Sequence, residues 1–187
     1  MFSYDRVTEV LGKFTGIEQI DPEVLQRSAD RGTAIHNCIE EALTARFSDD
    51  PVSDEVLAYM ESYEAFWDKS RHVFKDCEMI VEKRLFCDEL MITGKIDVIF
   101  TKPGRTFLID WKTGSRKQDS WFIQGAAYRH LLKVNGYDNP DDVLFVHLKK
   151  NKKPTTYKDS EHEKHLDIFK KCLELYRHFN MQTRKKP

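Results

Sequence analysis

Asp110 and Lys112 close the apolar run Phe107-Leu108-Ile109 with a carboxylate and an ammonium two residues apart. On a strand such residues point to one face, and Trp111 between them points to the other. Buried charges of this kind are costly without partners, so an ordinary structural salt bridge is the simplest reading of the pair. A second acid changes that reading. Asp97 ends the similar segment Gly94-Lys95-Ile96-Asp97, 13 residues earlier. If the chain turns back between the two, both acids come side by side. Neighbouring carboxylates repel unless a cation sits between them. Hard divalent ions choose oxygen ligands, and Mg²⁺ typically takes one or two carboxylates, waters and phosphate. A lysine beside such an ion suits orienting a water and offsetting charge that builds on a reacting phosphate.

Other residues could join them. His36 lies one place from the stripe Ile35, Ile39, Leu43, where a histidine is commonly structural but can also face a site. Glu82 lies in the segment VEKRLF and could equally be a surface strand charge. Gln124 and Tyr128 are four apart, hence on one helical face, with Trp121 one turn earlier. They could simply pack; alternatively Gln124 holds a carboxylate or phosphate and Tyr128 stacks on a base. Arg116 and Lys117 follow Lys112, and Lys149, Lys150, Lys152 and Lys153 form a basic run. Such runs are either solvated turns or phosphate contacts that position nucleic acid without reading its sequence.

The elements that would hold these residues are legible in outline. Asp21-Pro22 reads as an N-cap with proline at the first helical position, opening a helix to about Phe47. Asp49-Asp50-Pro51 breaks it. Ser53 caps a second helix with Val56, Met60, Tyr63 and Trp67 on one side. Segments 78–87, 92–100 and 106–111 have strand character, with a turn at Pro103-Gly104. The third does not alternate, which predicts a central strand covered on both faces. A helix over 119–135, a strand over 143–148 and a helix over 161–180 follow. The order α, α, β, β, β, α, β, α implies an α+β fold with a mixed sheet flanked by helices.

The length, 187 residues, suits one domain. Its parts would be an N-terminal helical segment over 1–75 with His36, a core over 76–150, and a basic turn plus helix over 151–187. No apolar run of about 18 residues exists to span a bilayer. The start Met1-Phe2-Ser3-Tyr4-Asp5-Arg6 lacks the layout of a signal peptide, so a cytoplasmic location, or a host cytoplasm for a phage-encoded chain, is expected. Cys38, Cys77, Cys87 and Cys172 contain no CxxC pair and predict reduced, mostly buried thiols. Residues 1–99 carry 11 Lys and Arg against 21 Asp and Glu; residues 100–187 carry 19 against 10. The basic second half favours a polyanion partner, though an uneven solvated surface would look the same.

GKID at 94–97 followed by IDWKTG at 109–114 resembles the PD-(D/E)XK nuclease motif, in the branch that contains the RecB nuclease domain. RGTAIH at 31–36 is similar to that branch's upstream helix motif, and Gln124 and Tyr128 to its Q-xxx-Y motif; Glu82 resembles an acid often found on the first strand. The resemblance spans about residues 27–150 and implies a restriction-endonuclease-like core. It implies Mg²⁺ or Mn²⁺, as one or two ions, on His36, Asp97, Asp110 and the Trp111 carbonyl. Lys112 would be catalytic, Gln124, Tyr128 and Glu82 would support the site, and Arg31 would join the basic residues in contacting DNA. An unperturbed His36 would compete for protons with the metal near pH ~6.5. The iron–sulfur cluster of some relatives needs three clustered cysteines after the Q-xxx-Y helix; only Cys172 lies there, so no cluster is expected. The implied activity is a DNA exonuclease working at single-stranded or duplex ends in recombination, repair or phage DNA processing. Without a Walker A sequence it would act alone or with a recombination, annealing or helicase partner. The alternatives are a structure-specific or restriction-like endonuclease, a catalytically silent DNA-binding subunit, and a metal-binding protein unrelated to nucleic acid.

Overall fold

The computed structural model describes residues 4–16, 19–49, 51–138, 140 and 142–184, the last four by backbone alone. Met1, Phe2 and Ser3 of the N-terminal hexapeptide, and Asp50 of the expected helix break, lie outside the described residues. The elements in chain order are β1 (Asp5–Arg6), α1 (Val7–Gly12), α2 (Pro22–Thr44), α3 (Asp54–Phe74), β2 (Glu78–Cys87) and β3 (Ile92–Lys102). They continue with β4 (Arg105–Lys112), α4 (Ser120–Val134), β5 (Asp142–Lys149), β6 (Lys152–Lys158) and α5 (His162–Arg184). Among the described residues no helix is long and apolar enough to cross a membrane.

Local chemistry sets the helix starts. The Asp21 carboxylate accepts from the N–H groups of Glu23 and Val24, with Pro22 behind it, satisfying donors that the first turn leaves free. Ser53 does the same for Val56 N–H. α2 stops at Thr44, short of the expected Phe47, because Ala45 turns left-handed at φ 53°.

The sheet is mixed. β3 pairs antiparallel with β2 and β4, β4 runs parallel to β5, and β5 forms a hairpin with β6. β4 is central and buried, as its unbroken apolar run predicts. One face packs against α1, α4 and α5, the other against α2 and α3. The short N-terminal pieces β1 and α1 were not foreseen. Nor was β6: residues 152–158 belong to the sheet, so the basic run is the tip of a hairpin and not a free turn. Its sequence KKPTTYK lacks apolar alternation because β6 is an edge strand with little to bury.

Two irregularities create the functional region. β4 pairs with β3 only from Val98 onward, and β1 takes the same edge of β3 at Ile92 and Thr93. Gly94 to Asp97 therefore has no ladder partner on that edge among the described residues, and the sheet forks there. The side-chain alternation of β3 also slips. Ile92, Ile96 and Ile99 all belong to the α4-side core, whereas Val98 and Phe100 belong to the other. Isoleucines three apart can share a face only if the strand is kinked between them. The kink falls at Asp97, opposite Glu82, and Glu82 is left-handed at φ 55°. A non-glycine residue there is disfavoured by roughly 1–3 kcal/mol and persists where surroundings enforce it.

Candidate active site

Trp111 stays in register with Val146 of β5, but the fork leaves its edge toward β3 without a strand partner, and site side chains take its N–H and carbonyl there. Trp111 N–H donates to Asp97 Oδ2 at 2.8 Å. Its carbonyl oxygen lies 3.2 Å from His36 Nε2. The indole is buried against Tyr63 and Phe66, fixing this stretch of backbone. His36 arrives from α2 on one face of the sheet, and Gln124 from α4 on the other; an unbroken sheet would keep them apart. α2 passes close to the end of β4, with the Cβ position of Gly32 only 3.4 Å from Thr113 Oγ1.

Below the fork Asp110 and Lys112 share the α4 face. Lys112 Nζ lies 2.5 Å from Asp110 Oδ2, as an ion pair without hydrogen-bond alignment. It also donates to Gln124 Oε1 at 2.9 Å, while Gln124 Nε2 donates to Asp110 Oδ1 at 3.1 Å. Gln124 thus reads both members of the pair, with its amide orientation set by that demand. Tyr128 follows Gln124 by one turn on the same face of α4 and is only 3% exposed. The expectation that it stacks on a base is therefore corrected: its ring packs beneath Gly94 inside the core, and burial raises its pKa.

His36 Nδ1 lies 3.5 Å from Asp97 Oδ1. Glu82 completes this upper group: ligand atoms of His36, Glu82 and Asp97 all lie within 4.8 Å of one another, a group Asp110 does not join. Glu82 is ion-paired to Lys95. Burial pushes its carboxyl upward, opposed by Lys95 and reinforced by Asp97. Burial pushes Asp110 up to about 6, against the pull of Lys112 and with the push of Asp97. Burial acts the same way on Asp97, yet its pKa is lowered, because the His36 charge and hydrogen bond and the Trp111 N–H outweigh it. Burial would lower the pKa of His36, but Asp97, then Asp110, lift it to about 9. The value of ~6.5 expected for an unperturbed histidine is therefore corrected upward. Three cations, His36, Lys95 and Lys112, then balance Glu82, Asp97 and Asp110. A divalent cation could replace the imidazolium proton, since the same carboxylates that hold that proton are hard oxygen donors.

The basic residues distribute differently from expectation. Arg31 turns away, to Glu55 at 3.5 Å and over the Tyr59 ring. Arg116 borders a hollow with Leu11 and Phe14, and Lys117 sits over Phe122 at 4.6 Å. Lys149 donates to Thr155; Lys150, Lys152 and Lys153 are exposed at the hairpin, which is anchored on α3 through Asn151 N–H to the Ala58 carbonyl. None of these lines the cleft that holds His36, Asp97, Asp110, Lys112 and Gln124. The cleft's other cations are Arg6, Arg84 and Lys95. Only Lys95 had a sequence signal, as part of GKID; β1 and β2 bring the arginines. His147 was also missed. It is buried beside Lys112 in register, and its Nε2 lies 2.6 Å from the Gly114 carbonyl, bracing the loop after β4. All four cysteines are free, but only Cys87 is fully buried; the other three are half-buried.

A forked mixed sheet with acids and a lysine on its inner strands defines a restriction-endonuclease-like fold. The chain belongs to the PD-(D/E)XK nuclease superfamily, whose family model matches residues 9–184. Nucleases of this superfamily typically use divalent metal ions. No curated protein shows significant similarity in sequence. Among solved structures, the chain is similar to SSO0001 at 12% identity and a TM-score of 0.37, over 78% of this chain and 70% of that one. It is also similar to a candidate exonuclease of Eubacterium rectale at 13% identity and a TM-score of 0.39, over 74% and 73%. Likenesses this remote carry no weight on activity.

Proposed function

We propose that the chain is a divalent-metal-dependent DNA exonuclease of the RecB-like branch, acting at DNA ends in recombination, repair or phage DNA processing. The observation that carries this reading is the fork, where Asp97 and Glu82 meet His36 above and Asp110 is locked to Lys112 and Gln124 below. His36, Glu82 and Asp97 would hold the ion, Mg²⁺ or Mn²⁺, with the Trp111 carbonyl and Asp110 at its border. When bound, such an ion polarises the scissile phosphate and lowers the pKa of a water.

The chain's own groups do the rest. Trp111 N–H fixes the Asp97 carboxylate. Asp110 and Gln124 hold Lys112 Nζ at the cleft, where the ammonium orients the attacking water and faces the charge that grows on the phosphate oxygens. Tyr128 keeps Gln124 in place from below. In the balanced reaction a water oxygen bonds to phosphorus, the ester P–O bond breaks, and the leaving oxygen takes a proton. DNA is the proposed substrate, and the whole chain is proposed as one nuclease unit, alone or with a recombination, annealing or helicase partner.

The test is incubation of end-labelled linear single- and double-stranded DNA, and of covalently closed circles, with Mg²⁺, with Mn²⁺ and with EDTA. Degradation of linear DNA, intact circles and silence in EDTA are expected. Cutting of the circles replaces the exonuclease reading with an endonuclease. No metal-dependent cleavage of any substrate refutes the nuclease reading.

A further inference from the structure

The cleft, about 360 Å³, does not end at the carboxylates. Its lining continues from Asp97 down β3 through Lys95, Gly94 and Thr93, and takes in Arg84, Arg6 and Thr8. Arg84 stands directly across from Lys95, and Arg6 across from Thr93. At roughly 3.3 Å per strand residue, Lys95 and Thr93 lie about 7 and 13 Å from Asp97. This end is lined by three cations and two threonine hydroxyls, and Asp97 and Asp110 are the cleft lining's carboxylates among the described residues.

The three cations are not equivalent. Lys95 is paired with Glu82, and Arg6 with Glu9 at 3.3 Å. The Arg84 side chain is exposed and makes no ion pair or hydrogen bond to another described residue. β2 is otherwise well paired along its length, so Arg84 is held on a rigid strand with its guanidinium uncommitted. A planar guanidinium matches phosphate oxygens in a two-pronged hydrogen bond, which an ammonium cannot copy.

We propose that Arg84, supported by Lys95 and Arg6, forms a second phosphate subsite that grips a non-scissile phosphate of the bound strand. This rests on the nuclease reading and adds to it the group that sets the strand's register against the scissile bond. The chemistry fits a terminal phosphomonoester or a neighbouring diester, and the choice of substrate separates the two.

The experiment measures binding of the full-length protein to fluorescent oligonucleotides in EDTA, so that no cleavage intervenes, across a salt series. The oligonucleotides carry a 5′-phosphate, a 3′-phosphate or hydroxyls at both ends. Arg84→Ala is expected to weaken binding about tenfold and to lower the salt slope by about one unit. Arg84→Lys should recover the slope but only part of the affinity. Lys83→Ala removes the same charge one residue away, on the opposite face of β2, and should bind like wild type. A loss confined to one phosphorylated end identifies a terminal phosphate; an equal loss on all three identifies an internal diester. Unchanged affinity and slope in Arg84→Ala overturn the subsite, as does an equal loss in Lys83→Ala or the absence of wild-type binding to all three. The nuclease reading is scored separately, by wild-type cleavage with metal.

Discussion

Gly94→Ala is the most exacting test of how the core supports the site. Gly94 lies in β3 at an ordinary φ, so alanine meets no backbone strain there. It meets side chains instead: an added Cβ would lie 2.7 Å from Tyr128 Cε1 and 2.9 Å from Leu131 Cδ1. Both belong to α4 and are buried, so neither can swing into solvent. Overpacking by one methyl costs about 1–3 kcal/mol. Replacing a strand glycine returns roughly 0.5–1 kcal/mol by restricting the unfolded chain. The net expectation is a loss of about 1–2 kcal/mol, or ~2–8 °C in Tm for a chain of this size. The functional loss should be larger. A displaced Tyr128 carries Gln124 with it, and Gln124 positions both Asp110 and Lys112; a 1 Å misplacement in such a site can cost roughly 100-fold in rate. The assay pairs thermal unfolding with cleavage rate well below Tm. Gly12→Ala, where nothing lies within 4 Å, serves as control and should be near neutral. Tyr128→Ala removes the clashing ring at its own cost, and in that background Gly94→Ala should be much less harmful. A wild-type Tm for Gly94→Ala, or an equal penalty in both backgrounds, refutes the reasoning.

Asp110→Asn should abolish cleavage while leaving DNA binding largely intact, because affinity comes mainly from phosphate contacts; metal-dependent cleavage by a clean preparation would remove Asp110 from the mechanism. His36→Ala should need more metal for half-maximal cleavage and should lose more activity at low than at high Mg²⁺ or Mn²⁺, with Mn²⁺ at least as effective as Mg²⁺ for the wild type because it accepts imidazole more readily; superimposable titrations of the two proteins would mean that His36 is not a ligand. Replacing Lys149, Lys150, Lys152 and Lys153 together should leave the salt slope of DNA binding nearly unchanged, because none of them lines the cleft; a slope lowered by roughly one unit per lost contact would show that DNA extends over the hairpin. Asp142 is a pH probe remote from the cleft: burial raises its pKa, but Lys158 and Arg105 bring it below the ordinary value. A folded-state pKa below the unfolded one gives stability that is present above about pH 4 and lost as pH falls through the folded value. The stability gap between wild type and Asp142→Asn should therefore shrink below about pH 4 in denaturant titrations, and a gap that stays constant would show that the ion pairs contribute nothing.

The sequence by itself determined the local parts. Helix caps at Asp21 and Ser53, the apolar run into β4, and the order of the main elements are short-range chemistry, readable without a fold. Asp97, Asp110 and Lys112 stood out because strand periodicity places Asp110 and Lys112 on one face, whereas His36 and Gln124 drew their expected roles from the resemblance at RGTAIH and the Q-xxx-Y spacing. What the tertiary structure decided was how they meet. β1 and β6 depend on pairing with distant strands, and neither has enough buried surface to leave an apolar pattern. The slip at Asp97 and the left-handed Glu82 arise because two strands kink together, which neither strand encodes alone. Tyr128 could be placed on the right helical face from its spacing, but only packing under Gly94 showed its ring to be buried and not stacked open to a base. The charge of the second half pointed to Lys149–Lys153 for phosphate, whereas the cleft takes Arg6, Arg84 and Lys95 from the acidic first half. Net charge sums over a surface, while a cleft selects individual side chains by strand register, and register is a property of the folded sheet.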